Sequence, residues 1–370
     1  MKRLVKKRDA MAPEQRKTVT LKMVAARAGC SVSSVSTVLN NAKGNSMVSD
    51  VTRKRIFAIA KELGYHPNFA SRSLRTRSTR TIGVYVQPKK WRQVGNNYEL
   101  QLFKGVEKAA RERNYNVMVL NLSAEVLPGV CKEQLLERRI DGIILIHTDK
   151  EVAEMLSAEH DCIVAVDCAH GSDKVNRVRF DDAAAVQIAV EYLVKLGHTR
   201  IGFAGGCTAE KETEPPRERF FREALKRCKL NIVEELIFNE TKCTEPIRYE
   251  DRYCQKEGTA AIRYFHALPK PPTAVVAYNS LVASALMHEA AKLGMKLPEE
   301  LSVIGIDDYE FLDFQEPRLT VIDHVLEEMG RGSAEMLIDL IEGKITPPVC
   351  RVYQPEIKEY ESCTTKRSSK

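Results

Sequence analysis

From Thr81 onward, short apolar runs alternate regularly with longer segments of helical periodicity. The apolar runs predict strands at 81–86, 115–121, 142–146, 162–166, 200–205, 274–278 and 301–307. Helical spacing predicts helices between them, over 100–113, 183–196, 216–228 and 281–293. Such alternation is typical of parallel sheets that are covered by helices on both faces. The number of strands fits two sheets, so we expect an α/β core of two parallel-sheet lobes over 81–358, with no evident internal repeat, and then a frayed polar tail over 359–370.

Three shorter helical patterns precede this core, and each has recognisable start or stop signals. The first pattern ends at Gly29 and the third at Gly64, since glycine readily adopts the left-handed conformation that follows a helix. Ser31 is placed to cap the second helix and Ser49 to cap the third. Two short helices joined at a glycine are typical of a helix-turn-helix. We therefore expect an all-α helix-turn-helix headpiece over 19–67.

The charge of the chain is divided unevenly between these two regions. Residues 1–80 contain 18 Lys and Arg against 4 Asp and Glu, a net charge of +14, whereas the other 290 residues contain 39 and 46, a net charge of −7. A flexible basic arm over 1–18 would explain only part of this excess, because Arg53–Arg55 and Arg72–Arg80 lie within or beyond the patterned sequence. The asymmetry favours a nucleic acid as the partner of the first 80 residues.

The second helix has one face that is free for recognition. If Val35, Val38 and Leu39 face the headpiece core, helical rotation places Ser33 and Thr37 on the opposite side. Their hydroxyls are expected to be uncommitted, and the threonine methyl group is suited to contact a thymine methyl group in the major groove. A plain three-helix packing module would carry no such charge bias. DNA recognition is therefore the favoured interpretation.

Several segments together resemble the lactose/galactose-repressor family, in the expected order from about residue 19 to residue 357. They include 20–31, 35–40, 48–53 and 63–68 in the headpiece, and "DGIIL" (141–145), 181–206, 297–308 and 317–322 in the core. The resemblance implies that the residues that contact base edges are Val32, Ser33 and Thr37. It implies phosphate contacts from Ser31, Ser34, Ser36 and Asn40. Relatives often carry arginine in place of Thr37, so we do not expect this chain to share the operator sequence of those relatives.

The resemblance also implies a hinge helix in the segment 68–80. Two copies would fold together in a minor groove, with Leu74 as the apolar wedge and Asn68 and Ser71 close by. The alternative interpretation is a flexible basic linker.

The core would then resemble periplasmic sugar-binding proteins, with a small effector held between the lobes. The positions that match effector contacts in the family are Tyr98, Arg217, Asn279 and Asp307. Arg219 competes with Arg217, since Phe220 stands where relatives commonly have glycine. Trp91, the only tryptophan, is either a stacking partner or part of the surface. These departures indicate a remodelled effector site.

A gene regulator is the function class that these features favour. Motifs of serine hydrolases, zinc proteases and nucleotide-binding loops are missing, and the ten cysteines lack C-x-x-C spacing, so we expect no enzyme activity, cofactor or metal. We expect no membrane span, a cytoplasmic location and reduced thiols. Helix-turn-helix readers usually pair on pseudo-palindromic operators, which predicts a homodimer. We expect a repressor that responds to a sugar or sugar derivative; a nucleobase or another metabolite, and a role as activator, are the alternatives.

Overall fold

The computed structural model describes residues 19–39, 48–65, 78–86, 96–120, 129, 133–135, 137–168, 172–205, 216–239, 242 and 253–366. The chain divides into two compact units, Met1–Thr79 and Arg80–Lys370. Several predictions fall outside the described residues: the arm 1–18, the hinge residues Asn68, Ser71 and Leu74, and also Asn40 and Trp91. Across the described part of the chain, every helix is too short or too polar to cross a bilayer.

The first unit contains three helices, α1 (Leu21–Ala28), α2 (Val32–Leu39) and α3 (Asp50–Leu63). Gly29 and Gly64 end α1 and α3 with φ of 60° and 67°, in the left-handed region where glycine carries no steric penalty. The Ser49 hydroxyl accepts a hydrogen bond from the Thr52 amide (3.3 Å) and so caps α3. The three helices bury a small apolar cluster of their own. The predicted helix-turn-helix headpiece is confirmed.

The second unit begins with a six-stranded sheet of order β11-β5-β4-β3-β1-β2. The strands are β1 (Thr81–Val86), β2 (Asn116–Leu120), β3 (Gly142–Ile146), β4 (Ile163–Val166), β5 (Asn176–Phe180) and β11 (Cys350–Tyr353), all parallel. Successive side chains of β3 and β4 alternate between two apolar clusters, one on each face of the sheet. The helices of this lobe are α4 (Asn97–Glu112), α5 (Lys150–Glu159) and α10 (Leu326–Ile341). This is the first lobe.

The second lobe is a further six-stranded sheet, of order β12-β10-β9-β8-β6-β7. Its strands are β6 (Ile201–Ala204), β7 (Ile237–Phe238), β8 (Ala274–Ala277), β9 (Ser302–Ile306), β10 (Thr320–Asp323) and β12 (Glu356–Lys358). The helices α6 (Asp182–Lys195), α7 (Pro216–Arg227), α8 (Tyr253–His266) and α9 (Ser280–Lys292) surround it. The strand β12 runs antiparallel to β10, so the prediction of purely parallel sheets is wrong at this edge.

The two lobes repeat one another in topology, although no sequence repeat is evident. Strands β1–β5 and β6–β10 have the same spatial order. The residues after β4 and β9 even share a hydrogen bond: Asp167 N donates to Val178 O (2.8 Å), and Asp307 N donates to Ile322 O (2.9 Å). The chain crosses between the lobes three times, after β5, after β10 and between β11 and β12. The carboxyl ends of the two sheets therefore face one site, as in other doubly wound folds.

Residues 359–366, after β12, are part of the second lobe, which corrects the expectation of a frayed tail for this part of 359–370; residues 367–370 lie outside the described residues. Ser362 is fully buried, and its hydroxyl donates to Val303 O (2.6 Å) and accepts from Thr320 N (2.8 Å). Thr364 O is 3.0 Å from Nε2 of His198. Polar composition misled the prediction, because the Ser362 hydroxyl and the Thr364 carbonyl form hydrogen bonds within the second lobe.

Two glycines bring α4 and α10 into backbone contact. A Cβ atom added to Gly330 would overlap Leu102 O, and one added to Gly105 would overlap Glu327 O. This close crossing closes one face of the first lobe.

Candidate functional sites

The turn of the headpiece presents α2 with its apolar side inward. Val35 and Val38 are fully buried, and so is Val24 of α1. The Ser31 hydroxyl accepts a hydrogen bond from Ser34 N (3.1 Å), which caps α2 as predicted. Ser33 lies on the opposite, exposed side, and Val32, at the flank of the buried face, is 42% exposed. The headpiece thus exposes one short helix at its surface.

The hydroxyl groups on the exposed side of α2 are already hydrogen-bonded to one another. Ser31 Oγ lies 2.9 Å from Ser33 Oγ and 2.8 Å from Ser34 Oγ. Thr37 Oγ1 donates to Ser33 O (2.9 Å), a common bond within helices. The expectation of uncommitted hydroxyls at Ser33 and Thr37 is therefore wrong. For a base edge, Thr37 Oγ1 offers an acceptor lone pair and the side chain offers its methyl group.

A second group of predicted residues meets at the carboxyl ends of the two core sheets. Arg217, at the start of α7, is buried, and its Nε donates to Asp182 Oδ1 (2.6 Å) while its Nη1 donates to Tyr278 O (2.7 Å). The guanidinium also lies over the Tyr278 ring, 5.0 Å from its centroid. Burial by itself lowers the pKa of Arg217, but the negative charge of Asp182 outweighs it and raises the pKa. Arg217 is a fixed, buried cation.

Arg219, the competing candidate, lies on the outside of α7. Its side chain is 57% exposed and lies 3.9 Å from Glu223, one turn along the same helix. Arg217 is therefore the arginine that faces the interlobe site. The contact of Arg219 with Glu223 is an exposed helix pair of small energetic weight.

Asp307 and Tyr98 belong to one polar network that spans the two lobes. Asp307 is buried; its Oδ1 lies 2.8 Å from Nδ1 of His324, and its Oδ2 accepts from the Tyr309 hydroxyl (3.1 Å). Nε2 of His324 lies 3.5 Å from Oδ2 of Asp167 in the first lobe. The Tyr98 hydroxyl donates to that same oxygen (3.0 Å).

His324 is the centre of this network. It is 1% exposed and stacks on Phe180, with 3.9 Å between ring centroids. Burial alone lowers the pKa of His324, but Asp167 and Asp307 raise it, to about 9. The imidazole is therefore charged at neutral pH.

Asn279 has a different local role from the other three predicted effector residues. Its Oδ1 accepts from Val282 N (2.9 Å), which makes it the N-cap of α9, and its Nδ2 donates to Cys254 Sγ (3.6 Å). Glu99, the residue after Tyr98, likewise has a local role. Its amide donates to Asn96 Oδ1 (3.0 Å), and its carboxylate accepts from Asn96 Nδ2 (3.4 Å), a reciprocal capping arrangement.

Several residues of the interlobe network were missed from the sequence. They are His147, Asp167, Phe180, Tyr278 and His324. The first two directly follow strands that the apolar pattern predicts, and polar residues at the carboxyl ends of parallel strands are the usual ligand contacts. The backbones of His147, Asp167 and Asp307 have φ of 56°, 50° and 82°, and strained conformations of this kind cluster at functional sites. His324 follows β10, a strand that the apolar pattern did not predict.

Comparisons with known proteins agree with this architecture. Residues 20–68 match the family model described as bacterial regulatory proteins, lacI family, and residues 190–363 match the periplasmic binding protein-like domain. The HTH-type transcriptional repressor PurR of Vibrio parahaemolyticus serotype O3:K6 is 30% identical over 348 residues, which cover 91% of this chain and 96% of that protein.

Two solved structures show the same fold over nearly the whole chain. A complex of the transcriptional regulator CelR with cellobiose has a TM-score of 0.63 at 26% identity and covers 93% of this chain and 99% of its own. A Lac repressor dimer bound to operator and an anti-inducer has a TM-score of 0.77 at 22% identity and covers 94% of this chain and 100% of its own.

Proposed function

Because this chain belongs to the lacI family of bacterial regulatory proteins, which are DNA-binding transcriptional regulators and not enzymes, we propose that it represses genes under the control of a small effector. The observation that carries this proposal is the exposed face of α2, on a headpiece whose surroundings in the chain are strongly basic. We assign residues 19–67 to DNA reading, 68–80 to the hinge, and the core with its bound tail to effector sensing. A DNA partner implies a cytoplasmic location.

The exposed face of α2 supports two kinds of DNA contact, contacts with base edges and contacts with phosphates. Val32, Ser33 and Thr37 are proposed to read base edges, because Ser33 and Thr37 lie on the side of α2 opposite the buried valines and Val32, at the start of α2, is 42% exposed. Four residues around them are proposed to contact phosphates without sequence preference: Ser31, Ser34, Ser36 and Asn40. The hinge residues Asn68, Ser71 and Leu74 are proposed to enter the minor groove as paired helices.

Variants of Thr37 and Ser36 test this division. Because Thr37 Oγ1 is committed to Ser33 O, the methyl group is the part of the side chain expected to read a base. Thr37→Val keeps the methyl and should retain the operator preference, whereas Thr37→Ser should relax the preference at one base pair by about 10-fold, or roughly 1.4 kcal/mol. Ser36→Ala should weaken binding to all duplexes by a similar factor.

The measurement is fluorescence anisotropy at fixed salt, with an operator selected from randomised duplexes by the native chain and with its single-base variants. Unchanged discrimination by Thr37→Ser at every base pair would remove Thr37 from the base readers. A failure of the native chain to select any preferred duplex would contradict sequence-specific binding altogether.

The interlobe site supports a hydroxyl-rich effector. Arg217 presents a fixed cation, and Asp307 with Tyr98 presents an acceptor and a ring, a combination suited to a sugar or sugar derivative. The cellobiose bound by CelR, at 26% identity, supports a carbohydrate for this chain also. Asn279 remains a proposed contact, although its present bonds cap α9 and reach Cys254.

An exposed apolar surface on the second lobe supports a homodimer. Phe314 is 91% exposed, and Phe311 and Leu281 are each more than a third exposed. They lie close together, because the Ser284 hydroxyl, one turn beyond Leu281, donates to Gln315 Oε1 beside Phe314 (3.1 Å). A second copy that covers this surface would make a dimer with two headpieces, the number that a pseudo-palindromic operator requires.

A further inference from the structure

His324 lies at one of the three places where the chain crosses between the lobes. It follows β10 of the second lobe and precedes α10 of the first. Its two nitrogens point at carboxylates from different lobes, Asp307 at 2.8 Å and Asp167 at 3.5 Å. The crossing therefore carries a side chain that touches both halves of the core.

The two aspartates are equivalent positions of the topological repeat. Each follows the fourth strand of its lobe, and each is held there by its own lobe. Asp167 accepts from the Tyr98 hydroxyl and receives a longer bond from Phe180 N (3.5 Å). Asp307 accepts from the Tyr309 hydroxyl. A cation between two fixed carboxylates from two lobes resists their separation, because separation would leave a buried charge without its partner.

We propose that the triad Asp167–His324–Asp307 is a built-in ionic tie that holds the two lobes together in the absence of any ligand. The shorter bond keeps His324 with Asp307, so the contact with Asp167 is the one that breaks when the lobes open. That contact is ionic and not a good hydrogen bond, since Nε2 has no hydrogen-bond partner at this distance and angle. The tie therefore favours the arrangement in which the lobes are together, and its contact with Asp167 can still break when they open.

The other charged and titratable groups around His324 do not replace the two aspartates as its ionic partners. Tyr98 contacts both His324 (5.5 Å between ring centroids) and His147 (4.9 Å). Arg217 lies within electrostatic range of Asp307, but its own bonds are to Asp182 and Tyr278. The nearest opposite charges of His324 are thus the two aspartates.

The direction of the pH dependence follows from this environment. The pKa of His324 is raised to about 9 in the folded core, against an ordinary value of 6.5 in the unfolded chain. Its contribution to stability is complete below about 6.5 and disappears as the pH rises through about 9. The contribution of the tie to stability therefore already declines through neutral pH and is lost in alkaline solution.

Two variants of the full-length chain test the tie, with a third as matched control. His324→Gln keeps a donor for Asp307 and removes the positive charge, and Asp167→Asn removes the negative charge that His324 faces in the first lobe while it keeps the size of the side chain. His198→Gln is the control, since His198 is also buried but has the neutral partners Thr273 (3.0 Å) and Thr364 (3.0 Å) within the second lobe. Neither operator nor effector enters the experiment, so it is independent of the proposed function.

Amide hydrogen exchange at pH 7.5 measures the opening of the lobes. Both test variants should exchange faster in the loops after β3, β4 and β9, whereas the control should change only near its own contacts. In addition, the Tm advantage of the native chain over His324→Gln should shrink between pH 7 and pH 10. Native exchange in those loops in Asp167→Asn, or a Tm difference that does not vary with pH, would overturn the tie. Asp167→Asn provides the exchange test even if His324→Gln fails to fold.

Discussion

At the scale of single residues, Arg217 combines a structural and a recognition role. Its Nε and Nη1 bind Asp182 and the carbonyl of Tyr278, and Nη2 makes no hydrogen bond to the residues that the structure describes. A planar guanidinium held at two of its three nitrogens is pre-organised, so a ligand that binds the third loses little side-chain entropy on contact. Lysine has a single nitrogen and cannot reproduce this geometry.

Arg217→Lys should therefore damage both stability and effector binding, while Arg219→Lys should change neither. We expect Arg217→Lys to lower the free energy of unfolding by about 2 kcal/mol, since a charged hydrogen bond is lost. The same variant should weaken effector binding by at least about 10-fold. A thermal-shift screen of sugars, sugar phosphates and nucleobases with the native chain identifies the effector, and calorimetry compares the variants. Native affinity in Arg217→Lys would exclude this residue from the effector site.

At the scale of secondary-structure elements, the crossing of α4 and α10 depends on glycine. An alanine in the middle of a helix normally stabilises it by about 1 kcal/mol relative to glycine. At Gly330 the added methyl group would overlap the backbone carbonyl of Leu102, which no side-chain rotation relieves. The two helices would have to move apart, and the packing of the whole lobe with them.

We expect Gly330→Ala to destabilise the core by about 3 kcal/mol and to lower its Tm by at least about 5 °C. Gly129→Ala is the matched control, because no atom of the described residues lies within 4 Å of a Cβ atom at that position. Differential scanning calorimetry of the two variants measures the difference. An equal Tm for Gly330→Ala and the native chain would show that the helices separate without cost.

Strands whose residues are buried on both faces were predictable from the sequence, whereas one strand with alternating charged residues and one very short strand were not. The runs at β1, β3, β4, β8 and β9 are continuous and apolar, as central parallel strands require. The strand β5 was missed because Arg177 and Arg179 alternate with its buried residues. The strand β7 has two residues, which is too short for any periodicity.

The functional residues divide in a similar way. Arg217, Asp307 and Tyr98 came from family resemblance, which compares positions and needs no knowledge of contacts. His324 was missed because its importance depends on Asp307, 17 residues earlier, and on Asp167, 157 residues earlier. A relation that arises from the meeting of two lobes has no local signal in the sequence.

At the scale of the whole molecule, the dimer proposal makes the exposed surface of the second lobe essential for operator binding. Phe314→Glu should place a charge in the middle of that surface and convert the dimer to a monomer in light scattering. Operator affinity should fall by about 100-fold or more, because the second half-site is no longer bound within one assembly. Met155→Glu, at a 45% exposed site on α5 of the first lobe, is the control and should remain dimeric. A dimeric Phe314→Glu would place the interface elsewhere.

The three crossings also determine when each part of the molecule can be completed during synthesis. The headpiece is complete once Tyr65 has been made, since its apolar cluster is local. The first lobe begins at Thr81 but lacks α10 and β11 until Tyr353 emerges, 272 residues later. A chain whose translation stops early therefore has a complete headpiece but an incomplete first lobe with an uncovered apolar face. The core that is proposed to sense the effector is complete only after nearly every residue has been translated.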